Sequence, residues 1–71
     1  MVYAEIDDMY ELNATVENIK KLLPEEFTHR IIASKSGKEG NIGLEIVINS
    51  KTDFDILRLC EISHIVYVAE E

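Results

Sequence analysis

Cys60 and His64 stand four residues apart, a spacing that puts two side chains on the same side of a helix. Such a pair could form a thiolate–imidazole couple or supply two metal ligands. No further Cys/His cluster with zinc-ligand spacing accompanies it. The plainer interpretation is a small thiol in an apolar segment with a surface histidine nearby. His29 lies in an alternating, strand-like segment and has no partner that the sequence identifies. Asp7-Asp8 and Glu25-Glu26 are adjacent carboxylates. Neighbours on a strand point to opposite faces, so Asp7 and Asp8 would not clasp one cation without a bulge. Glu25-Glu26 follows Pro24 and has the character of a solvated loop. Gly37, Gly40 and Gly43 lack the helix start and the Lys-Ser/Thr pair of a phosphate loop. The expectation is a chain with no catalytic group, no metal site and no cofactor. Arg58, between Leu57 and Leu59, either lays its stem over a core with its head in water, or pairs with Asp55 or a partner's carboxylate.

The chain has 71 residues, enough for a single domain spanning residues 1–71. A chain this short buries a smaller share of its surface than a large one, and association is a usual remedy. With Cys60 alone, an internal disulfide is excluded. A hydrophobic content of 46% is too high for a disordered chain. No apolar run approaches the roughly 20 residues that span a bilayer, and the start lacks a signal-peptide pattern. A cytoplasmic location is therefore expected. Fourteen acidic against seven basic residues give a net charge of −7, and the lysines and arginines are scattered. Direct nucleic-acid binding, which relies on clustered cations, is not expected.

These residues need elements to position them. Val2, Ala4, Ile6, Tyr10 and Leu12 share one parity, with Tyr3, Glu5, Asp7, Met9 and Glu11 on the other, so residues 2–12 suggest a strand broken near Asp8. Asn13 or Thr15 would cap a helix carrying Val16, Ile19, Leu22 and Leu23, which Pro24 stops. Residues 27–34 and 42–48 alternate and form a hairpin about the glycines at 37 and 40. Ser50, Thr52 or Asp53 would cap a second helix with Phe54, Ile56, Leu57, Leu59 and Cys60. Residues 64–68 are β-branched and aromatic, which suits a strand, yet no Gly or Pro punctuates 50–71, which suits a continued helix. Two α+β architectures follow: βαββα, a two-layer sandwich of a three-stranded antiparallel sheet with two helices on one face, and βαββαβ, a ferredoxin-like sandwich.

The order of features resembles the small dimerisation subunit family of the KEOPS complex, related to the L antigen family. The resemblance rests on Leu22-Leu23-Pro24-Glu25 at the first helix exit, the hairpin ending in strand 42–48, and Thr52-Asp53-Phe54-Asp55-Ile56-Leu57-Arg58. Ser63, Ile65, Tyr67 and Val68 also fall where the family's last helix carries a small polar and then large apolar residues. The resemblance implies the βαββα fold, with 64–69 helical. It implies a non-catalytic accessory subunit of the complex that installs threonylcarbamoyl on tRNA adenosine. It further implies pairing with a second copy or paralogue and docking on the catalytic subunit. Asp53, Leu57, Arg58, Ile65 and Val68 would lie at that protein interface. The acidic balance departs from a family linked to tRNA contact and points to an acidic paralogue that pairs with a more basic protein. The alternatives are a ferredoxin-like regulatory domain of the ACT type, which needs a strand at 64–69, and an acidic inhibitor or nucleic-acid mimic.

Overall fold

The computed structural model describes residues 1–23, 26–48 and 56–71. In chain order these form β1 (Val2–Ile6), a 3-10 helix (Met9–Glu11), α1 (Leu12–Leu22), β2 (Phe27–Ile32), β3 (Ile42–Ile48), a second 3-10 helix (Ile56–Glu61) and β4 (Ile65–Glu70). The strands make one four-stranded antiparallel sheet in the order β2-β3-β1-β4. Val16 and Ile19 of α1, Leu23 beyond it, and Leu59 of the second 3-10 helix join Val2, Ala4, Ile6, Leu44, Ile46, Ile65 and Val68 in one core. The other face of the sheet carries Tyr3, Glu5, Glu45, Val47 and Tyr67.

Period two works as expected for β3, where Ile42, Leu44, Ile46 and Ile48 face the core cluster. The first strand is shorter than its parity pattern suggests. It ends at Ile6, and Asp8, rather than Asn13 or Thr15, opens the helical segment by accepting a hydrogen bond from the Tyr10 N–H at 2.9 Å. Thr15 instead donates back to the Glu11 carbonyl at 2.8 Å from within α1. Asp8→Ala should therefore cost about 1 kcal/mol by chemical denaturation, while Asn13→Ala should leave stability unchanged within error. The helix stops where Pro24 requires it: Leu23 is already extended, at φ −74° and ψ 131°. Lys20 and Lys21 in its last turn complement the helix dipole.

The three-stranded sheet with two helices does not hold. Residues 65–70 form a fourth strand on the outer side of β1, so the helical extension of 64–69 is corrected. The break is made by His64, whose φ of 75° turns the chain in the left-handed region. The Asp7 N–H donates to the His64 carbonyl at 2.9 Å, and the Asp7 carboxylate lies 3.0 Å from His64 Nδ1, fastening the corner. Of the proposed second helix, the described part is 3-10 (Ile56–Glu61); its proposed caps Ser50, Thr52 and Asp53, with Phe54 and Asp55, lie outside the described residues.

Candidate functional site

β1 is paired along both edges, and both of its faces are covered as well. Val2, Ala4 and Ile6 enter the core, and the intervening Tyr3 and Glu5 are also buried, at 1% and 7% exposure. What covers them is the β2–β3 connection, which folds across the open face of the sheet. It turns through Gly37 and Gly40 at φ 70° and 86°, a conformation glycine adopts without strain. The Gly40 carbonyl accepts from the Met9 N–H at 2.9 Å, tying the far end of the connection to the first 3-10 helix.

Glu5 is the hub of this closure. Its Oε1 accepts from Tyr3 Oη (2.9 Å), Ser34 Oγ (2.8 Å) and the Ser36 N–H (3.3 Å), and its Oε2 accepts from Asn41 Nδ2 (2.9 Å). The Lys35 N–H in turn donates to Tyr3 Oη at 2.9 Å. The bond from Ser36 is the largest cause holding the Glu5 carboxyl down at about 2 instead of 4.5; burial opposes it, and Ser34, Asn41 and Tyr3 add to it. Burial pushes the Tyr3 phenol up, against the Lys35 N–H and reinforced by Glu5. Glu5 is consequently an anion at neutral pH and is poorly matched to proton transfer there. No ion pair reaches it among the described residues.

Beside Glu5 lies a cleft of about 500 Å³ lined by Tyr3, Glu5, Lys35, Ser36, Val66, Tyr67 and Glu71. The Lys35 ammonium sits 4.5 Å from the centre of the Tyr3 ring and pairs with the Glu71 carboxylate. Tyr67 leans on Tyr3 with ring centres 6.3 Å apart. Val66 and Tyr67 are 54% and 56% exposed. A bulge allows both to border the same cleft. The β1–β4 register skips one residue between Ile6↔Ile65 and Glu5↔Tyr67, leaving Val66 as the extra residue.

β4 is also an edge. Among the described residues no strand pairs with its outer side. Glu71 and Met1 exchange backbone hydrogen bonds, with Glu71 N–H to Met1 carbonyl at 2.8 Å and the Met1 amine to Glu71 carbonyl at 3.4 Å. Inward and outward groups alternate along an antiparallel strand, so Ala69 and Tyr67 also turn toward β1. Val68 and Glu70 then direct their N–H and C=O groups outward.

No family model, curated protein or solved structure matches the chain.

The residues singled out from the sequence do not gather into one surface. Leu57 is 65% exposed and Arg58 is exposed, both on the second 3-10 helix. Ile65 and Val68 point into the core, at 5% and 8% exposure, because their segment is a strand packed over the hydrophobic cluster. Asp53 lies outside the described residues. Cys60 and His64 are not held together by one helix, because the 3-10 segment ends at Glu61 and His64 turns back to Asp7. Asp7 and Asp8 have separate tasks, one at the His64 corner and the other as a cap. His29 lies beside the Phe27 ring on the exposed strand β2. Among the described residues, no group of three or more His, Cys, Asp or Glu could hold a metal ion, and no helix is long and apolar enough to cross a membrane.

Tyr3, Glu5, Lys35, Val66 and Tyr67 were not expected as a site. The available signal was a carboxylate in the middle of an otherwise apolar strand, together with small donors (Ser34, Ser36 and Asn41) flanking the hairpin turn. Both faces of β1 are covered here, and a buried carboxylate needs several donors.

Proposed function

We propose that this chain is a non-catalytic protein-interaction module that receives an extended segment of another protein along β4. The observation that carries this is the outer side of β4, on which no strand pairs among the described residues, with Val66 and Tyr67 more than half exposed beside it. Strand addition takes its affinity from backbone hydrogen bonds and its selectivity from side-chain pockets. The partner is a different, more basic protein, because a net charge of −7 and the carboxylates of Glu70 and Glu71 oppose a second copy. This keeps the accessory role and the pairing through the sheet that the KEOPS resemblance implies, and assigns that pairing to β4, where the resemblance implies a terminal helix. Membership of that tRNA-modifying complex rests on the sequence resemblance. An exposed free thiol, Cys60, suits a reducing compartment such as the cytoplasm.

Proline at position 70 separates this role from a general structural one. Glu70→Pro removes an outward N–H and should spare the β1–β4 ladder. Affinity capture from the native host should recover a partner with the wild type and with Glu70→Gln. Glu70→Pro should bind that partner at least about tenfold more weakly with an unchanged melting temperature. Equal binding by all three removes β4 from the interface, and recovery of KEOPS subunits decides whether the complex is the one the resemblance names.

The strand order favours a second reading, a ferredoxin-like ligand-binding regulatory domain, since βαββαβ chains of this class share the order β2-β3-β1-β4. It calls for a small molecule that raises the melting temperature of the isolated chain; a screen of amino acids that moves it for none argues against this role.

A further inference from the structure

The geometry points to the cleft beside β4 as a recognition site for a basic side chain: a lysine or arginine of the incoming segment takes the place of the Lys35 head, over the Tyr3 ring and on the Glu71 carboxylate, with Tyr67 at its side. This rests on the proposal that β4 receives an extended segment, and it adds the chemistry of what that segment carries.

Three observations converge on a cation. Glu5 is 7% exposed, lines the cleft, and has hydrogen-bond donors but no ion pair among the described residues. Buried charges are ordinarily paired, and Glu5 is held by hydrogen bonds without a direct ion pair among the described residues, so the cleft borders a negative charge. Two tyrosines line the same cleft, and the negative face of an aromatic ring attracts ammonium and guanidinium groups. Finally, the site already holds a cation of the required kind. The Lys35 ammonium rests over the Tyr3 ring and on Glu71, yet its side chain remains 49% exposed. Its flexible stem lets the head swing into water, while its backbone N–H stays on Tyr3 Oη. Lys35 is thus a tethered occupant that a partner's cation displaces, and it weakens the partner's apparent affinity by competing in place.

The test uses the whole chain, amide NMR and three probes: a blocked peptide of alternating lysine and valine, the same peptide with norleucine for lysine, and n-butylammonium chloride. The lysine peptide should shift the amides of Lys35, Val66, Tyr67 and Glu71 and bind at least about tenfold more tightly than the norleucine peptide. Lys35→Ala should tighten the lysine peptide roughly fivefold, and Glu71→Gln should weaken it by a similar factor. Equal affinity for the two peptides overturns the cation site and leaves strand addition standing. Butylammonium shifts at Lys35 and Tyr67, with no change at Val68 or Glu70 from either peptide, leave the cation site and overturn strand addition. Silence from all three probes overturns both.

Discussion

Replacing Glu5 with alanine is expected to lower the folding free energy at neutral pH by about 3 kcal/mol, although the substitution removes a charged group from a nearly closed position. Glu5 is the shared acceptor for Tyr3 Oη, Ser34 Oγ, the Ser36 N–H and Asn41 Nδ2. Deleting it leaves these donors without their acceptor at once, and an unsatisfied buried donor costs about 1–3 kcal/mol. Glu5→Gln keeps one acceptor oxygen and should cost less, about 1–2 kcal/mol. Its amide must turn N–H groups toward donors that Glu5 now serves.

The same carboxylate makes stability depend on acidity. In the unfolded chain its pKa is near the ordinary 4.5, whereas in the fold it is about 2. Its stabilisation is fully present above the unfolded value and is lost as pH falls through the folded one. The gap of about 2.5 pH units corresponds to about 3 kcal/mol lost between pH 4.5 and 2. Urea titrations at a series of pH values should show this slope in the wild type and its flattening in Glu5→Gln. Parallel slopes in the two proteins would show that Glu5 is not held as described.

The second large effect is expected at Gly43, a residue on the open face opposite Glu5 and Ile32. A Cβ placed there would lie 2.8 Å from the Ala33 carbonyl oxygen and 2.9 Å from both Ile32 Cγ1 and Tyr3 Cε2. The first contact is with backbone, so it cannot be relieved by a rotamer change. The chain at Ala33 must lift, and it carries Ser34, Lys35 and Ser36 with it. Gly43→Ala should cost about 2 kcal/mol and Gly43→Val more, from overpacking together with weakened bonds to Glu5. Because both changes damage one closure, they should not add. In a Glu5→Gln background, Gly43→Ala should cost about 1 kcal/mol less than in the wild type. Full additivity would mean that the loop does not depend on Glu5.

Which parts of this were legible in the sequence follows from local physics. Strand β3, the glycine turn and the stop at Pro24 depend on alternation, positive φ and a proline clash, all of them local signals. The fourth strand was hidden twice. Its punctuation is not a glycine but His64 in the left-handed region, so the lack of Gly and Pro after residue 50 pointed toward a helix. The bulge at Val66 then puts Ile65 and Val68 on the same face at a spacing of three, which imitates helical periodicity. The sequence places Glu5 only by parity, with Tyr3, Asp7, Met9 and Glu11, because nothing local says that a loop crosses that face of β1. Leu57 and Arg58 are exposed, whereas the apolar pair Ile65 and Val68 expected beside them at one interface belongs to the core.

Residue-resolved hydrogen exchange tests most directly whether β4 is a receiving edge. In the isolated chain the Tyr67 and Ala69 amides should exchange slowly, and the outward Val68 and Glu70 amides quickly. Adding the alternating lysine–valine peptide should slow Val68 and Glu70 by at least about tenfold. If the peptide binds and those two amides exchange as before, the segment does not add to β4 and the proposed function is contradicted.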